Sequence, residues 1–325
     1  MMQLKLSVVL CTFNGTAYLR EQLGSLLAQT HLPDEVVVSD DASTDDTQSL
    51  LRTFADQCAA RGVECRLILR VANVGFVRNF SESLREASGD VVFLCDQDDV
   101  WRSDKLAVMG QRFADDFELT MLCTDAHLVD AAGIRKGTTL FEALELSDAE
   151  RQSVRAGQAF DVLLRRSMAT GATVALRRDA AVAALPVGEG WIHDEWLAIL
   201  LASTGKLGMV EDQLIDYRQH GGNQVGMRKR TLRDKWQDLV RPRSAQFADE
   251  VTRLISLEAA LADRSSNTCQ LAVECKRRHF EERLRIGRCT RWRRVQAIWR
   301  ELRAGNYARF GTGARSVLRD LLRRD

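Results

Sequence analysis

The chain is short of proline, of paired cysteines and of long apolar runs. Three prolines in 325 residues exclude Pro-rich linkers and polyproline segments. Eight cysteines occur, but there is no CxxC pair and no Cys/His cluster with ligand spacing, which argues against zinc. Cys11 and Cys95 lie inside apolar runs, where a thiol behaves as a small hydrophobe, so a reducing compartment is expected. No run approaches the ~18 apolar residues of a membrane-spanning helix. Leu6–Phe13 is too short for the apolar core of a signal peptide and reads better as a first strand. A cytoplasmic location is expected, with room for peripheral contact on the inner face of the cytoplasmic membrane.

Net charge is also nearly absent, at +1, but it is unevenly placed: residues 229–325 carry 24 Lys+Arg against 12 Asp+Glu. The preceding residues are correspondingly acidic. This predicts an acidic body at 1–228 and a basic helical region at 229–325, the latter suited to an anionic partner. Apolar residues make up 45%, enough for a globular chain with a sizeable core.

Strand and helix signals alternate over the first 120 residues. Leu6–Cys11, Glu35–Ser39, Cys65–Arg70 and Val91–Leu94 read as strands, three of them apolar on both faces. Ala17–Gln29, Thr47–Arg61 and Asn79–Ala87 carry helical spacing between them. That order predicts an α/β fold with a doubly wound, mostly parallel sheet. Leu119–Cys123, Ala172–Leu176 and Met209–Tyr217 read as further strands, and Trp196–Leu201 as a buried helix. Ligands of such sheets bind beyond the carboxyl ends of the strands.

Polar clusters fall at those ends: Thr12-Phe-Asn14-Gly15, Asp40-Asp41-Ala-Ser43, Asn73-Val-Gly75 and Asp96-Gln-Asp98-Asp99. Three carboxylates within four positions repel one another unless a cation neutralises them. Oxygen donors at a strand end suit Mg²⁺ or Mn²⁺ held with substrate phosphates. Asp98 or Asp99 is expected to ligate, and Asp96 to face a sugar or ribose. Asp41 could accept from a pyrimidine N–H, with Thr12 and Asn14 holding base or ribose, while helix capping is the competing reading of Asp40–Asp46. Trp191-Ile-His193-Asp194-Glu195-Trp196 offers an acidic pair at a helix start, flanked by indoles that could stack on a sugar. Asp194 is the candidate general base and Glu195 the runner-up, against an N-cap reading. In Tyr217-Arg218-Gln219-His220-Gly221-Gly222-Asn223, His220 could touch metal or diphosphate, with Arg218 assisting.

In this order and spacing, Ser7–Asn14, Ser39–Asp46, Asn73–Phe76, Phe93–Trp101, His193-Asp194 and Tyr217–Asn223 resemble glycosyltransferase family 2 enzymes of GT-A fold, most closely bacterial rhamnosyltransferase-type members. The resemblance implies inverting transfer from a nucleotide-diphosphate sugar, a dTDP- or UDP-sugar, with Mg²⁺ or Mn²⁺. It implies nucleotide contacts at Thr12, Asn14, Asp40, Asp41 and Asn73, metal or diphosphate contacts at Asp96, Asp98 and Asp99, and a base at Asp194. Related sequences often read His-Asp-Trp-Trp where this chain has Glu195. The segment Asn306–Gly313 is also similar to the end of such rhamnosyltransferases. The implied acceptor is a glycan or a lipid-linked sugar in surface polysaccharide synthesis, and the basic region would then meet anionic lipid. Nucleic acid is not expected. A sugar-phosphate nucleotidyltransferase is the alternative enzyme, but it needs a basic Gly-rich loop after strand one, and Thr12–Ala17 has no Lys or Arg. A non-catalytic GT-A scaffold would fit better without Asp98 or Asp194, and both are present.

Overall fold

The computed structural model describes residues 4–221, 242–262 and 264–323. They form two compact units, the first drawn from residues up to Ala159, Met168–Val187 and from Ile192 onward; the second takes Phe160–Ser167, Gly188–Trp191 and the chain from Arg228. The boundary expected near residue 228 lies outside the described residues, as do Gly222 and Asn223.

The first unit opens β1 (Leu6–Thr12), α1 (Leu19–Leu27), β2 (Glu35–Asp40), α2 (Thr47–Ala59), β3 (Glu64–Leu69), α3 (Phe76–Glu86) and β4 (Val91–Cys95). It continues with β5 (Val100–Trp101), α4 (Lys105–Asp115), β6 (Leu119–Val129), β7 (Arg135–Thr139), α5 (Leu140–Ala143) and α6 (Asp148–Arg155). After α7 (Ala159–Arg165), whose residues from Phe160 onward belong to the second unit, a 3₁₀ turn at Gly171–Thr173 leads the first unit into β8 (Val174–Arg177), α8 (Arg178–Ala183), α9 (His193–Thr204) and β9 (Lys206–Arg218). The sheet runs β3-β2-β1-β4-β8-β6-β9-β5, with β7 on β6. Strands β3, β2, β1 and β4 are mutually parallel, β8 is antiparallel to both neighbours, and β9 is parallel to β6. Every residue of β1, β2 and β4 is buried, as the two-sided helical cover of a parallel sheet requires.

The order reverses at β1, whose chain neighbour β2 lies on one side and β4 on the other. The carboxyl ends of β1 and β4 therefore flank a topological switch point, where such sheets open a crevice. Helix α3 starts at Phe76, three residues before the expected Asn79. The reason is Gly75, whose φ of 83° turns the chain and lets its N–H bond Asp41 Oδ2 at 2.9 Å. The two-residue strand β5 and helix α4, whose Leu106, Met109 and Phe113 form its buried stripe, follow directly on the acidic cluster.

The second unit contains α10 (Ser244–Leu261), α11 (Asn267–Gly287), α12 (Arg291–Arg303), α13 (Asn306–Phe310) and α14 (Ala314–Leu322). Its helical character agrees with the expectation for the basic region. Phe247, Leu254, Leu257 and Leu261 form the buried stripe of α10. A polar group lies in its interior: Arg283 holds Asp320 at 2.7 and 3.2 Å, and Tyr307 Oη donates to Asp320 Oδ2 at 2.8 Å. Arg283 also stacks over Phe247 at 4.2 Å. Asp320 is fully buried, so removing it strands a guanidinium and a phenol. Asp320→Ala is expected to cost about 3–5 kcal/mol of this unit's stability, read by urea unfolding. A loss within ~0.5 kcal/mol would mean the network is not structural.

Candidate active site

The first two strand ends are stitched to each other. Thr12 Oγ1 donates to Asp40 Oδ1 at 2.9 Å, and Asp40 also accepts from Ser43 N and Gln48 Nε2, both at 3.0 Å. Asn14, at φ 48°, receives Thr44 N at 2.9 Å and donates its own N–H to Ser43 Oγ at 2.8 Å. Hydrogen bonds from Thr16 and Thr47 outweigh the burial that raises Asp45 and pull its carboxyl down to about 2. Asp41 is 2% exposed; its two oxygens accept Val74 N at 2.8 Å and Gly75 N at 2.9 Å, and Asn73 Nδ2 donates to its carbonyl at 3.2 Å. Thr12, Asn14, Asp40, Asp41 and Asn73 are thus brought together at one rim, and each makes protein–protein hydrogen bonds there. The helix-capping reading of Asp40–Asp46 translates into loop-to-loop bonding: Asp46 precedes α2 with no side-chain cap bond.

The acidic cluster sits at the end of β4, where its members have different surroundings. Asp99 is fully buried and its Oδ1 accepts Arg218 N at 2.9 Å, while Oδ2 has no hydrogen-bond partner among the described residues. Burial, then the charges of Asp98 and Asp96, hold the Asp99 carboxyl well above its usual range. Asp98 is partly exposed and its Oδ2 lies 2.7 Å from His220 Nε2. Asp96 is also partly exposed; packing around it, then the Asp98 and Asp194 carboxylates, push it up to about 7. Lys105 lies fully buried nearby, bonded to Ala172 O at 2.8 Å and 3.8 Å over the Trp101 ring. Burial pulls its ammonium down to about 7, against the Cys95, Asp99 and Asp96 charges.

Arg218 and His220 reach this cluster because β5 pairs antiparallel with β9, Val100 opposite Asp216. Arg218 is 2% exposed. Its guanidinium donates to Asp98 O at 2.8 Å, Ala131 O at 3.2 Å and Glu21 Oε2 at 2.7 Å. Its position braces the acidic loop from behind. His220 stacks on Tyr18 at 4.7 Å.

Asp194 opens α9, 8% exposed, with Oδ2 accepting Gly171 N and Oδ1 accepting Glu195 N, both at 2.8 Å. A Cβ on Gly171 would lie 3.4 Å from both Asp194 Oδ2 and His193 Nε2, in ordinary van der Waals contact. Glu195 is partly exposed. Of the two indoles that could have stacked on a sugar, Trp196 is not available to do so. Trp196 is 2% exposed and donates to Ala184 O at 2.8 Å. Trp191 belongs to the second unit, where it donates to Arg253 O at 2.8 Å under the Arg253 guanidinium.

Several contributors escape sequence reasoning. Gly171-Ala172 receives both Asp194 and Lys105, which lie far apart in sequence. Gln97, inside the acidic motif, clamps the Phe13 backbone at 2.8 and 3.0 Å. The Phe13 ring is 46% exposed at the end of β1 and can serve as a platform for a planar ring. Its signal was available: an aromatic between Thr12 and Asn14 at a strand end.

Among the described residues no three His, Cys, Asp or Glu side chains form a ready-made metal cage. Mg²⁺ and Mn²⁺ need none when phosphate oxygens complete the shell. The donors here are hard oxygens, Asp96 is raised by burial and then by two neighbouring carboxylates, and Asp99 keeps a buried bare oxygen; these features fit a divalent cation.

Asp96 binds its proton more tightly folded than unfolded, where carboxylates titrate near ~3.9. Its contribution to stability is therefore complete below that value and is lost as pH rises through about 7. Lys105, depressed when folded, contributes the opposite slope. In chelator, the wild type is expected to lose more melting temperature than Asp96→Asn between about pH 6 and about pH 8. Parallel profiles in scanning fluorimetry would remove Asp96 as the titrating group.

The model of the family described as glycosyl transferase family 2 matches residues 7–180. An uncharacterised protein of Mycobacterium tuberculosis is 30% identical over 219 residues, covering 66% of this chain and 59% of its own length; the chain thus spans about three-fifths of the curated relatives it matches first. Among solved structures, Staphylococcus aureus TarS 1-349 in complex with UDP superposes with a TM-score of 0.55 at 16% identity, over 86% of this chain and 71% of that one. The mannosyltransferase PcManGT from Pyrobaculum calidifontis, in complex with GDP-Man and Mn²⁺, gives 0.52 at 18%, over 98% and 79%. The curled sheet of parallel and antiparallel strands shares the GT-A fold of these glycosyltransferases, and the chain belongs to glycosyltransferase family 2.

Proposed function

We propose that the chain is an inverting, metal-dependent glycosyltransferase that takes a sugar from a nucleotide diphosphate to a hydroxyl of a glycan or lipid-linked acceptor. The observation that carries this reading is electrostatic. Burial raises Asp96 first, and Asp194, from a helix a hundred residues downstream, lies close enough to the β4 cluster to add to that rise together with Asp98. A base and a cation-binding cluster in one field are what a displacement at an anomeric carbon requires.

In this reading Asp98 would hold Mg²⁺ or Mn²⁺, Asp96 faces the sugar or ribose, and the buried Asp99 braces the loop through Arg218. When bound, the cation offsets the charge of the departing nucleoside diphosphate. Asp194 takes the proton of the acceptor hydroxyl, whose oxygen forms the new bond to the anomeric carbon as the sugar–phosphate bond breaks on the opposite face. The Gly171 and Glu195 N–H groups fix the orientation of Asp194. Phe13 stacks on the base, while Asp41 shapes the β3–α3 loop beside it and keeps free lone pairs for a pyrimidine N–H. His220 supports Asp98.

UDP and GDP-Man with Mn²⁺ in the structural neighbours support a nucleotide-sugar donor. The likeness of Asn306–Gly313 to rhamnosyltransferases favours dTDP-rhamnose among candidate donors and surface polysaccharide as the product, made at the inner face of the membrane.

A thermal-shift screen of dTDP-rhamnose, UDP-glucose and GDP-mannose with Mn²⁺ identifies the donor by its stabilisation of the native state. With the best donor, Asp194→Asn is expected to retain binding and lose transfer by about 10²–10⁴-fold. Glu195→Gln is expected to keep most activity. If Glu195→Gln is the inactive variant and Asp194→Asn is not, the base assignment moves to Glu195. Asp98→Ala is expected to abolish the Mn²⁺-dependent part of donor binding; donor affinity that ignores both Mn²⁺ and this substitution contradicts the metal assignment.

A further inference from the structure

Helix α12 buries Ala297 and Ile298 within the second unit. Its other side exposes Trp292 (74%), Val295 (48%), Trp299 (53%) and Leu302 (49%). At 3.6 residues per turn these four fall within about 80° of arc, a continuous apolar stripe facing water. Two exposed tryptophans on one helix face are unusual in a water-facing surface, because each leaves a large apolar area unburied. Helix α14, which packs on α12, adds exposed Leu318, Leu321 and Leu322.

The charge around the stripe is almost purely positive. Nine arginines besides the buried Arg323 lie from Arg288 to Arg319, against the two acids Glu301 and Asp320. Neither acid offsets the surface. Glu301 accepts from His279 Nδ1 at 2.5 Å and Asn306 Nδ2 at 2.8 Å, and Asp320 is buried with Arg283. Arg291, Arg293, Arg300 and Arg303 are exposed beside the stripe, and the Arg303 guanidinium lies 3.8 Å over the Trp299 ring.

We propose that this face docks on an anionic lipid surface, with the indoles at headgroup depth and the arginines on lipid phosphates. An amphipathic helix with Trp and Leu on one side and Arg on its flanks has the composition that lies in the membrane interface. A second copy of the same face would set arginines against arginines. A nucleic acid would satisfy the arginines but leave Val295, Leu302 and the α14 leucines in water. No helix of the described residues is long and apolar enough to cross a membrane, so the contact is peripheral.

The test is flotation of the full chain with vesicles of phosphatidylcholine and phosphatidylglycerol in equal parts, and with phosphatidylcholine alone. The wild type is expected to float with the anionic vesicles at least about tenfold more than with the neutral ones, and to lose this preference in high salt. Its tryptophan emission is expected to shift to the blue on binding. Trp292→Ser combined with Trp299→Ser is expected to lower flotation at least about tenfold. Trp292→Phe combined with Trp299→Phe is expected to keep most of it, which separates loss of the stripe from loss of the fold. A wild type that does not float, serine and phenylalanine variants that float as the wild type does, or a wild-type oligomer that the serine variant dissociates would each overturn the proposal. The assay contains no nucleotide sugar, so its outcome is independent of the transferase reading.

Discussion

Mutual repulsion among carboxylates is the constraint on which the first unit is built. Asp96, Asp98 and Asp99 leave β4 in four positions, and Asp194 adds its charge from α9. Such a concentration persists in a fold only when fixed dipoles and cations oppose it. Here the opposition comes from the backbone and one buried ammonium. Arg218 N caps Asp99, Gly171 N and Glu195 N cap Asp194, and Lys105 sits beneath the cluster on Ala172 O. Asp96, pressed by burial first and then by Asp98 and Asp194, is raised to about 7, and a divalent cation would favour its ionised form.

The same principle organises the rest of the rim. Asp40 and Asp41 are not left for a ligand to satisfy. Asp40 ties β1 to the β2–α2 loop, and Asp41 ties that loop to the start of α3 through Val74 and Gly75. Ordering these loops in advance lowers the conformational entropy lost when a ligand binds. Rigid loops leave recognition to the groups that stay accessible: the Phe13 ring and the partly exposed Asp96 and Asp98.

The strands and the rim were legible in the sequence because they rest on local physics. Strands buried on both faces have to be continuously apolar, as Val8–Cys11 and Val91–Leu94 are, and their order implies the parallel sheet. Side-chain roles were less legible because they depend on distant partners. Arg218 reads as a diphosphate contact until its guanidinium is found on Asp98 O, Ala131 O and Glu21. Trp196 reads as a sugar platform until it is found buried on Ala184 O. Lys105 and Gly171 carry no motif, since their importance arises only when the β8 turn meets α4 and α9. Phe13, by contrast, is visible in the sequence as an aromatic between Thr12 and Asn14 at a strand end.

The central claim is that the β4 carboxylates bind a nucleoside diphosphate through a divalent cation. Isothermal titration of the chain with UDP and dTDP, in Mn²⁺ and then in chelator, tests it most directly. The account predicts saturable binding in Mn²⁺ that weakens at least about tenfold without the cation, a difference of about 1.4 kcal/mol. Equal affinity in Mn²⁺ and chelator would contradict it.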